Sequence, residues 1–130
     1  MKKTLYKGEL VIRQGDIKDK YLYVLEKGKL AVQRAVNGVI IDCGYLRDGD
    51  VFGEISMIIG VERAATVMVA SEEAIVNQLD RNGFLDLISR KPDIAWKVLT
   101  SLAIRTQALD ELQGQISDSK ILRKILLGKD

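Results

Sequence analysis

The residue types best suited to binding chemistry lie close together between positions 52 and 67. Gly53 and Glu54 stand near the start of this segment, and Arg63, Ala64 and Ala65 stand near its end. The guanidinium of an arginine is planar, permanently charged and matched to phosphate oxygens, and small side chains beside it leave backbone N–H groups accessible. A carboxylate accepts hydrogen bonds from sugar hydroxyl groups. Segment 52–67 therefore predicts a pocket for a ligand that combines a sugar with a phosphate.

The start of segment 52–67 also predicts one short helical turn. Residues Glu54–Ile59 can form this turn, and its first backbone N–H groups have no partner within a helix, so they can face an anion. Gly53 has no side chain and allows the backbone to approach a ligand closely. Two plainer interpretations stay open: Arg63 could pair with Glu54 or Glu62, and Glu54 could complement the helix dipole.

The composition excludes several classes of function. The 130 residues include no histidine, which is the commonest transition-metal ligand and the usual general base. With no carboxylate cluster evident, we expect no metal site and no enzymatic activity. Lys and Arg outnumber Asp and Glu by only 20 to 18, so we expect no direct nucleic-acid binding. No apolar stretch is long enough to span a membrane, and the single cysteine agrees with a cytoplasmic location.

The elements that must position segment 52–67 change in type along the chain. Up to about Leu79, short β-prone stretches alternate with glycine-containing turns, which predicts a sandwich, a jelly roll or a barrel. Asn37-Gly38 is the strongest hairpin signal, because a type I′ turn needs positive φ at both central residues. Cys43 lies in an apolar stretch, and we expect it to be a small core residue. The predicted strands are Glu9–Arg13, Tyr21–Glu26, Lys29–Val36, Val39–Leu46, Ala65–Ala70 and Ala74–Leu79.

From Asp80 onward the hydrophobic pattern is helical. One helix is predicted over Arg81–Ser89, and a second begins near Pro92 and extends to about Gln113. The second helix carries an apolar stripe at alternating three- and four-residue steps, which predicts either packing on its own barrel or a seam between two copies of the chain. Arg105 is the one charged residue in the stripe, and its apolar members are Ala95, Val98, Leu102, Leu109, Leu112 and Ile116.

Segment 52–67 closely resembles the phosphate-binding cassette of cyclic-nucleotide-binding domains. Its Phe-Gly-Glu and Arg-Ala-Ala-Thr elements, at residues 52–54 and 63–66, match the form found in protein kinase regulatory subunits in type and separation. The resemblance extends from about Lys7 to Leu112. It implies a mainly β fold with flanking helices, namely a β jelly roll (double-stranded β-helix) followed by a B helix and a long C helix. We expect one domain over residues 1–113 and a short amphipathic tail over residues 114–130.

The resemblance also implies ligand contacts, residue by residue. Gly53 and Glu54 would bind the ribose 2′-hydroxyl, Arg63 would neutralise the cyclic phosphate, and Ala64 and Ala65 would complete the phosphate cradle. Other residues of the cassette, the barrel and the C helix would complete the pocket. These are Val51, Ile55, Ser56, Val67 and Asp110.

The residue after the cassette arginine bears on the identity of the ligand. Family members that prefer cyclic GMP often carry a hydroxyl residue there, whereas this chain has Ala64, so the resemblance favours cyclic AMP and leaves cyclic GMP open. Asp110 could accept a hydrogen bond from the adenine amino group, or it could lie on the solvated side of the C helix.

Together these features predict a regulatory sensor. Ligand charge at Arg63 would draw the cassette inward and shift the B and C helices, which a partner or a dimer mate would read. Two other functions stay open, a domain that keeps the fold for dimerisation without a ligand and a regulatory fragment of a transcription factor. The tail predicts a short basic helix over Ser117–Gly128, docked on the barrel or a dimer mate, or used to bind a membrane or partner.

Overall fold

The structure is a computed structural model that describes residues 1–113 and Gly128. Within the described residues, strands occupy most of the first 79 positions and helices follow them. The strands are β1 (Lys2–Tyr6), β2 (Leu10–Ile12), β3 (Leu22–Lys27), β4 (Leu30–Val36), β5 (Val39–Leu46), β6 (Val51–Phe52), β7 (Thr66–Val69) and β8 (Glu73–Leu79). The helices are α1 (Glu54–Ile59), α2 (Arg81–Arg90) and α3 (Pro92–Gln113).

The described strands form two antiparallel sheets of four strands each. One sheet has the order β1-β8-β3-β6 and the other the order β2-β7-β4-β5, so most neighbours within a sheet are distant in sequence. Chain segments that cross repeatedly between two antiparallel sheets are the mark of a jelly roll. The predicted fold, a mainly β jelly roll with flanking helices, is confirmed.

The core lies between the two sheets. Strand residues alternate between the two faces of a sheet, and the inward faces of β3, β7 and β8 carry branched aliphatic side chains. Tyr23 and Phe52 stack in this core with ring centroids 5.3 Å apart, so strand β6, which leads directly into α1, is anchored by an aromatic pair. The buried residues of the core are Ile12, Tyr23, Leu25, Leu30, Phe52, Val67, Val69, Ala74 and Val76.

Two strands were not expected from the sequence, and one residue that was expected in the core lies outside it. Strand β1 was not predicted, because its lysine-rich residues are mostly exposed. It is held by antiparallel pairing with β8 and by the packing of Leu5 against the core. Strand β6 has only two residues, too few for a hydrophobic period. The prediction that Cys43 is a core residue is wrong, because β5 is an edge strand and Cys43 is exposed.

The described residues fall into two compact units, one of residues Met1–Lys91 and one that begins at Pro92. In the first, Asp80 caps α2 by accepting a hydrogen bond from the Gly83 backbone N–H at 2.7 Å. In the second, α3 is a continuous helix, as predicted for the C helix. No described helix is long and apolar enough to cross a membrane.

The apolar stripe of α3 is only partly exposed. Val98 is buried, Leu112 is exposed, and the other described members are half-buried; these are Ala95, Leu102 and Leu109. Ile116 and the predicted tail helix, apart from Gly128, lie outside the described residues. Both the boundary at residue 113 and the seam between two copies stay predictions.

Candidate ligand-binding site

Segment 52–67 connects the two halves of the barrel through α1. Gly53 precedes the helix with a φ of 82°, a left-handed conformation that favours glycine. A Cβ atom at this position would lie 2.8 Å from Nη1 of Arg63 and 3.0 Å from the Tyr21 carbonyl oxygen. Glycine is therefore required here both by the backbone conformation and by the close approach of Arg63.

Helix α1 turns two polar side chains into the protein. Glu54 is 2% exposed and Ser56 is 5% exposed, whereas Ile55 between them faces outward. The helix ends at Gly60, whose backbone N–H donates to the Ser56 carbonyl oxygen at 3.0 Å in a second left-handed conformation. The side chain that follows the left-handed Gly53 is therefore a buried carboxylate, and its predicted role in ligand binding stays a prediction.

Arg63 is buried, with 3% of its surface exposed, and the protein holds its guanidinium at three points. Nη1 donates to the Gly53 carbonyl oxygen at 3.0 Å, and Nη2 donates to Oδ1 of Asp19 at 2.7 Å and to the Tyr21 carbonyl oxygen. The guanidinium carbon lies 5.8 Å from the centre of the Tyr23 ring. The contact with Gly53 brings the two ends of segment 52–67 together.

One donor of this guanidinium is not used within the described part of the protein. The buried Nε–H of Arg63 has no hydrogen-bond acceptor among the described residues. A buried donor without a partner costs about 1–3 kcal/mol, more when the group is charged. An anion at Nε removes this cost, so the site can favour a negatively charged ligand.

Asp19 is a residue of this site that the sequence reasoning missed. Besides the Arg63 guanidinium, its carboxylate accepts from the Tyr21 backbone N–H at 3.1 Å and, through Oδ2, from the Tyr23 hydroxyl at 3.1 Å. Burial, followed by the charge of Asp19, raises the pKa of Tyr23. No local pattern signals this role, because Asp19 lies in a charged run that is typical of a solvated loop.

The loop before β3 also holds the backbone of the arginine. The Arg63 N–H donates to the Asp16 carbonyl oxygen at 2.9 Å, and the Gly15 N–H donates to the Arg63 carbonyl oxygen at 2.8 Å. The Asp16 carboxylate in turn accepts from the Lys18 backbone N–H at 2.8 Å, which lowers the pKa of Asp16. Arg63 is therefore fixed at both its main chain and its side chain.

The other predicted site residues differ in their burial. Ala64 is exposed and Ala65 is half-buried, so the chain directly after Arg63 is near the surface. Val51 is half-buried, and Val67 is part of the core. Asp110 is an exposed residue of α3, in the second unit.

Comparison with known proteins identifies the arrangement. The family model described as the cyclic nucleotide-binding domain matches residues 2–91. The chain belongs to this family. The matched residues include both sheets, α1, α2 and the buried Arg63, so the domain assignment covers the whole first unit.

The chain is similar to a regulatory subunit of one protein kinase and to a second protein kinase. The chain is 42% identical over 95 residues to the cAMP-dependent protein kinase regulatory subunit of Blastocladiella emersonii, a match over 68% of this chain and 23% of the relative. It is 30% identical over 120 residues to the cGMP-dependent protein kinase, isozyme 1, of Drosophila melanogaster, over 89% of this chain and 15% of the relative.

The fold of the domain is also close to that of a bacterial regulator. The crystal structure of the Thermus thermophilus catabolite activator protein matches with a TM-score of 0.74 and 27% identity, over 90% of this chain and 55% of that one. The chain thus spans about half of this protein and a quarter or less of the two kinases. What it shares with them is the cyclic nucleotide-binding regulatory domain.

Proposed function

We propose that this domain binds a cyclic mononucleotide, preferentially cyclic AMP, through Arg63 and the start of α1. The observation that carries the proposal is the buried Arg63 guanidinium, which is held by three protein acceptors. Its Nε–H has no acceptor among residues 1–113. A group held in this way offers its charge without further ordering, which favours tight binding. The cyclic phosphate is the part of the ligand that would meet this charge.

The remaining ligand contacts belong to the same proposal. Gly53 and buried Glu54 would bind the ribose 2′-hydroxyl, while the backbone N–H groups of Ala64 and Ala65 would complete the phosphate cradle. Glu54 would act as an acceptor for the hydroxyl, and Ser56 would lie near it on the buried side of α1. Val51 and Ile55 would provide apolar surface for the base.

The preference for cyclic AMP rests on the residue after the arginine. Ala64 has no hydroxyl to bond a guanine amino group, and the relative with 42% identity is a cAMP-dependent protein kinase regulatory subunit. The similarity to a cGMP-dependent protein kinase makes cyclic GMP the second candidate. Asp110 stays a proposed contact to the base, as an acceptor for the adenine amino group.

We also propose that the domain transmits binding and does not transform its ligand. Ligand at Arg63 would favour one of two arrangements of the C-terminal helices, and a partner or a second copy would respond to that arrangement. The α3 stripe is the surface proposed for a second copy. As a regulator, the domain would release the cyclic nucleotide unchanged.

A second candidate function is a dimerisation scaffold that binds no nucleotide. It is favoured by the ion pair between Arg63 and Asp19, because a protein carboxylate already balances the charge that a phosphate would balance. A regulatory fragment of a transcription factor remains a third candidate, since the catabolite activator protein shares this domain.

Calorimetric titration of the purified chain with cyclic AMP and cyclic GMP tests these candidates. We expect wild type to bind cyclic AMP more tightly, and Arg63→Glu to bind at least about 100-fold more weakly, because a charge-assisted contact becomes a repulsion. Arg34→Glu is the matched control, since Arg34 is an exposed residue of β4 and the charge change is the same.

Circular dichroism must show that the Arg63→Glu protein is folded. If it does not fold, Arg63→Lys, which keeps the charge, replaces it in the titration. Failure of wild type to bind either nucleotide would support the scaffold. Equal affinities for Arg63→Glu and Arg34→Glu would remove Arg63 from the site.

A further inference from the structure

The turn between α1 and Arg63 is held by a lysine from a different part of the chain. The ammonium of Lys20 donates to the carbonyl oxygens of Gly60 at 2.8 Å and of Val61 at 3.1 Å. Carbonyl groups at the end of a helix have no partner within the helix, so they need an external donor. The last turn of α1 contains no basic residue of its own, and Lys20 supplies the positive charge there.

The position of Lys20 in the sequence links this contact to the arginine. Its two neighbours, Asp19 and Tyr21, both accept hydrogen bonds from the Arg63 guanidinium. Three consecutive residues therefore hold Arg63 at two places, at the tip of its side chain and at the turn that precedes it. The next residue, Leu22, is fully buried at the start of β3 and anchors all three to the core.

We propose that Lys20 is a positioning residue that sets the placement of Arg63 for the cyclic phosphate. This inference rests on the proposed function. Without the ammonium, the Gly60 and Val61 carbonyls turn to water and the turn gains conformational freedom. The ligand must then order the turn as it binds, and that cost lowers its affinity.

Loss of the Lys20 hydrogen bonds should change the free energy of unfolding of the domain only slightly. Lys20 is half-buried and lies in a loop, and its loss leaves the apolar core between the sheets intact. A lysine that served stability alone would change the melting temperature without a selective effect on ligand affinity. Loss of a positioning lysine would lower ligand affinity with little change in the melting temperature, so the two measurements separate the two roles.

The test compares Lys20→Met with Lys18→Met. Lys18 is an exposed lysine of the same loop, so the second variant controls for the loss of one positive charge. We expect Lys20→Met to weaken the binding of cyclic AMP and cyclic GMP alike, roughly tenfold, as for the loss of a charged hydrogen bond. Lys18→Met should bind within about twofold of wild type, and Lys20→Arg, which keeps a cationic donor, should restore most of the affinity.

A second readout does not depend on ligand. The ¹H–¹⁵N resonance of the Arg63 side-chain Nε, assigned by its loss in Arg63→Lys, reports how well the guanidinium is held. We expect its hydrogen exchange to accelerate at least about tenfold in Lys20→Met, since local opening becomes easier, and to be unchanged in Lys18→Met. If Lys20→Met does not fold, Lys20→Gln replaces it in both measurements.

The outcomes separate this inference from the proposed function. If wild type binds cyclic AMP but Lys20→Met matches Lys18→Met in affinity and in Nε exchange, the positioning role is overturned and the binding function stands. If wild type binds no cyclic nucleotide, the proposed function fails first, whatever the exchange rates are.

Discussion

At the scale of single residues, the site depends on a charge that the protein has buried and balanced. Arg63 has almost no exposed surface, and its ion pair with Asp19 at 2.7 Å is itself mostly shielded from water. Removing one partner of such a pair leaves an uncompensated charge in the interior, which is costly. The pair therefore contributes both to the stability of the domain and to the orientation of the guanidinium.

This arrangement predicts that Asp19→Asn destabilises the domain. Asparagine keeps an oxygen acceptor for Nη2 but removes the negative charge, so we expect the free energy of unfolding to fall by about 1–3 kcal/mol. Urea denaturation followed by circular dichroism measures this change. Asp42→Asn is the control, because Asp42 accepts one hydrogen bond from Gln33 in an exposed position of β5. Equal stabilities for the two variants would contradict a structural role for the buried pair.

The sequence revealed the two ends of segment 52–67 but not Asp19, the ion-pair partner of Arg63. Glu54 and Arg63 could be predicted because their chemical types and spacing are informative within one short segment. Asp19 is 44 residues from Arg63, and the two meet only in the folded chain, where β3 pairs with β6 and the loop before β3 contacts the Arg63 backbone. A contact of that range leaves no local pattern in the sequence.

At the scale of elements, α1 is defined by the two glycines that bound it. Gly53 and Gly60 both adopt left-handed conformations, and the helix begins and ends at the residues predicted from the sequence, Glu54–Ile59. The space around the two glycines differs. A Cβ atom at Gly53 meets Arg63, whereas one at Gly60 meets nothing within 4 Å.

This difference predicts a selective effect of Gly53→Ala on binding. Alanine in a left-handed conformation costs roughly 1–2 kcal/mol of stability, and here its Cβ also displaces the arginine. Gly38→Ala is the matched control, because Gly38 has a φ of 79° and open space around it. Both variants should lose stability, but only Gly53→Ala should weaken cyclic AMP binding, which calorimetry measures. Weaker binding in Gly38→Ala as well would show that the effect is general strain.

The bounds of a strand could be predicted where a clear turn signal adjoins it. They could not be predicted where the strand depends on pairing with a distant part of the chain. The Asn37-Gly38 turn fixes β4 and β5, and both strands end within one residue of their predicted limits. Strand β1 depends on its register with β8, which a single sequence does not reveal. Cys43 lies outside the core because its apolar stretch forms an exposed sheet edge, and an apolar pattern alone does not distinguish an edge strand from a buried one.

At the scale of the whole molecule, the jelly roll and the family could be predicted from the sequence. The way in which ligand binding would be passed to a partner could not. Regular turns and the cassette spacing determine the fold, and the family model confirms the assignment over residues 2–91. In the proposed function, the arrangement that transmits ligand binding depends on α3 and on a partner, and neither can be predicted from the sequence of one domain. The chain spans only part of its relatives, so their wider activities do not transfer with the domain.

The most direct test is a crystal structure of the full chain grown with cyclic AMP. We expect the ring phosphate within hydrogen-bond distance of the Arg63 guanidinium, with Nε–H now paired, and the ribose 2′-hydroxyl on the Glu54 carboxylate. Two results would contradict the account: nucleotide bound at another place, or no bound nucleotide. In either case the Arg63 guanidinium would still be held only by Asp19, Tyr21 and Gly53.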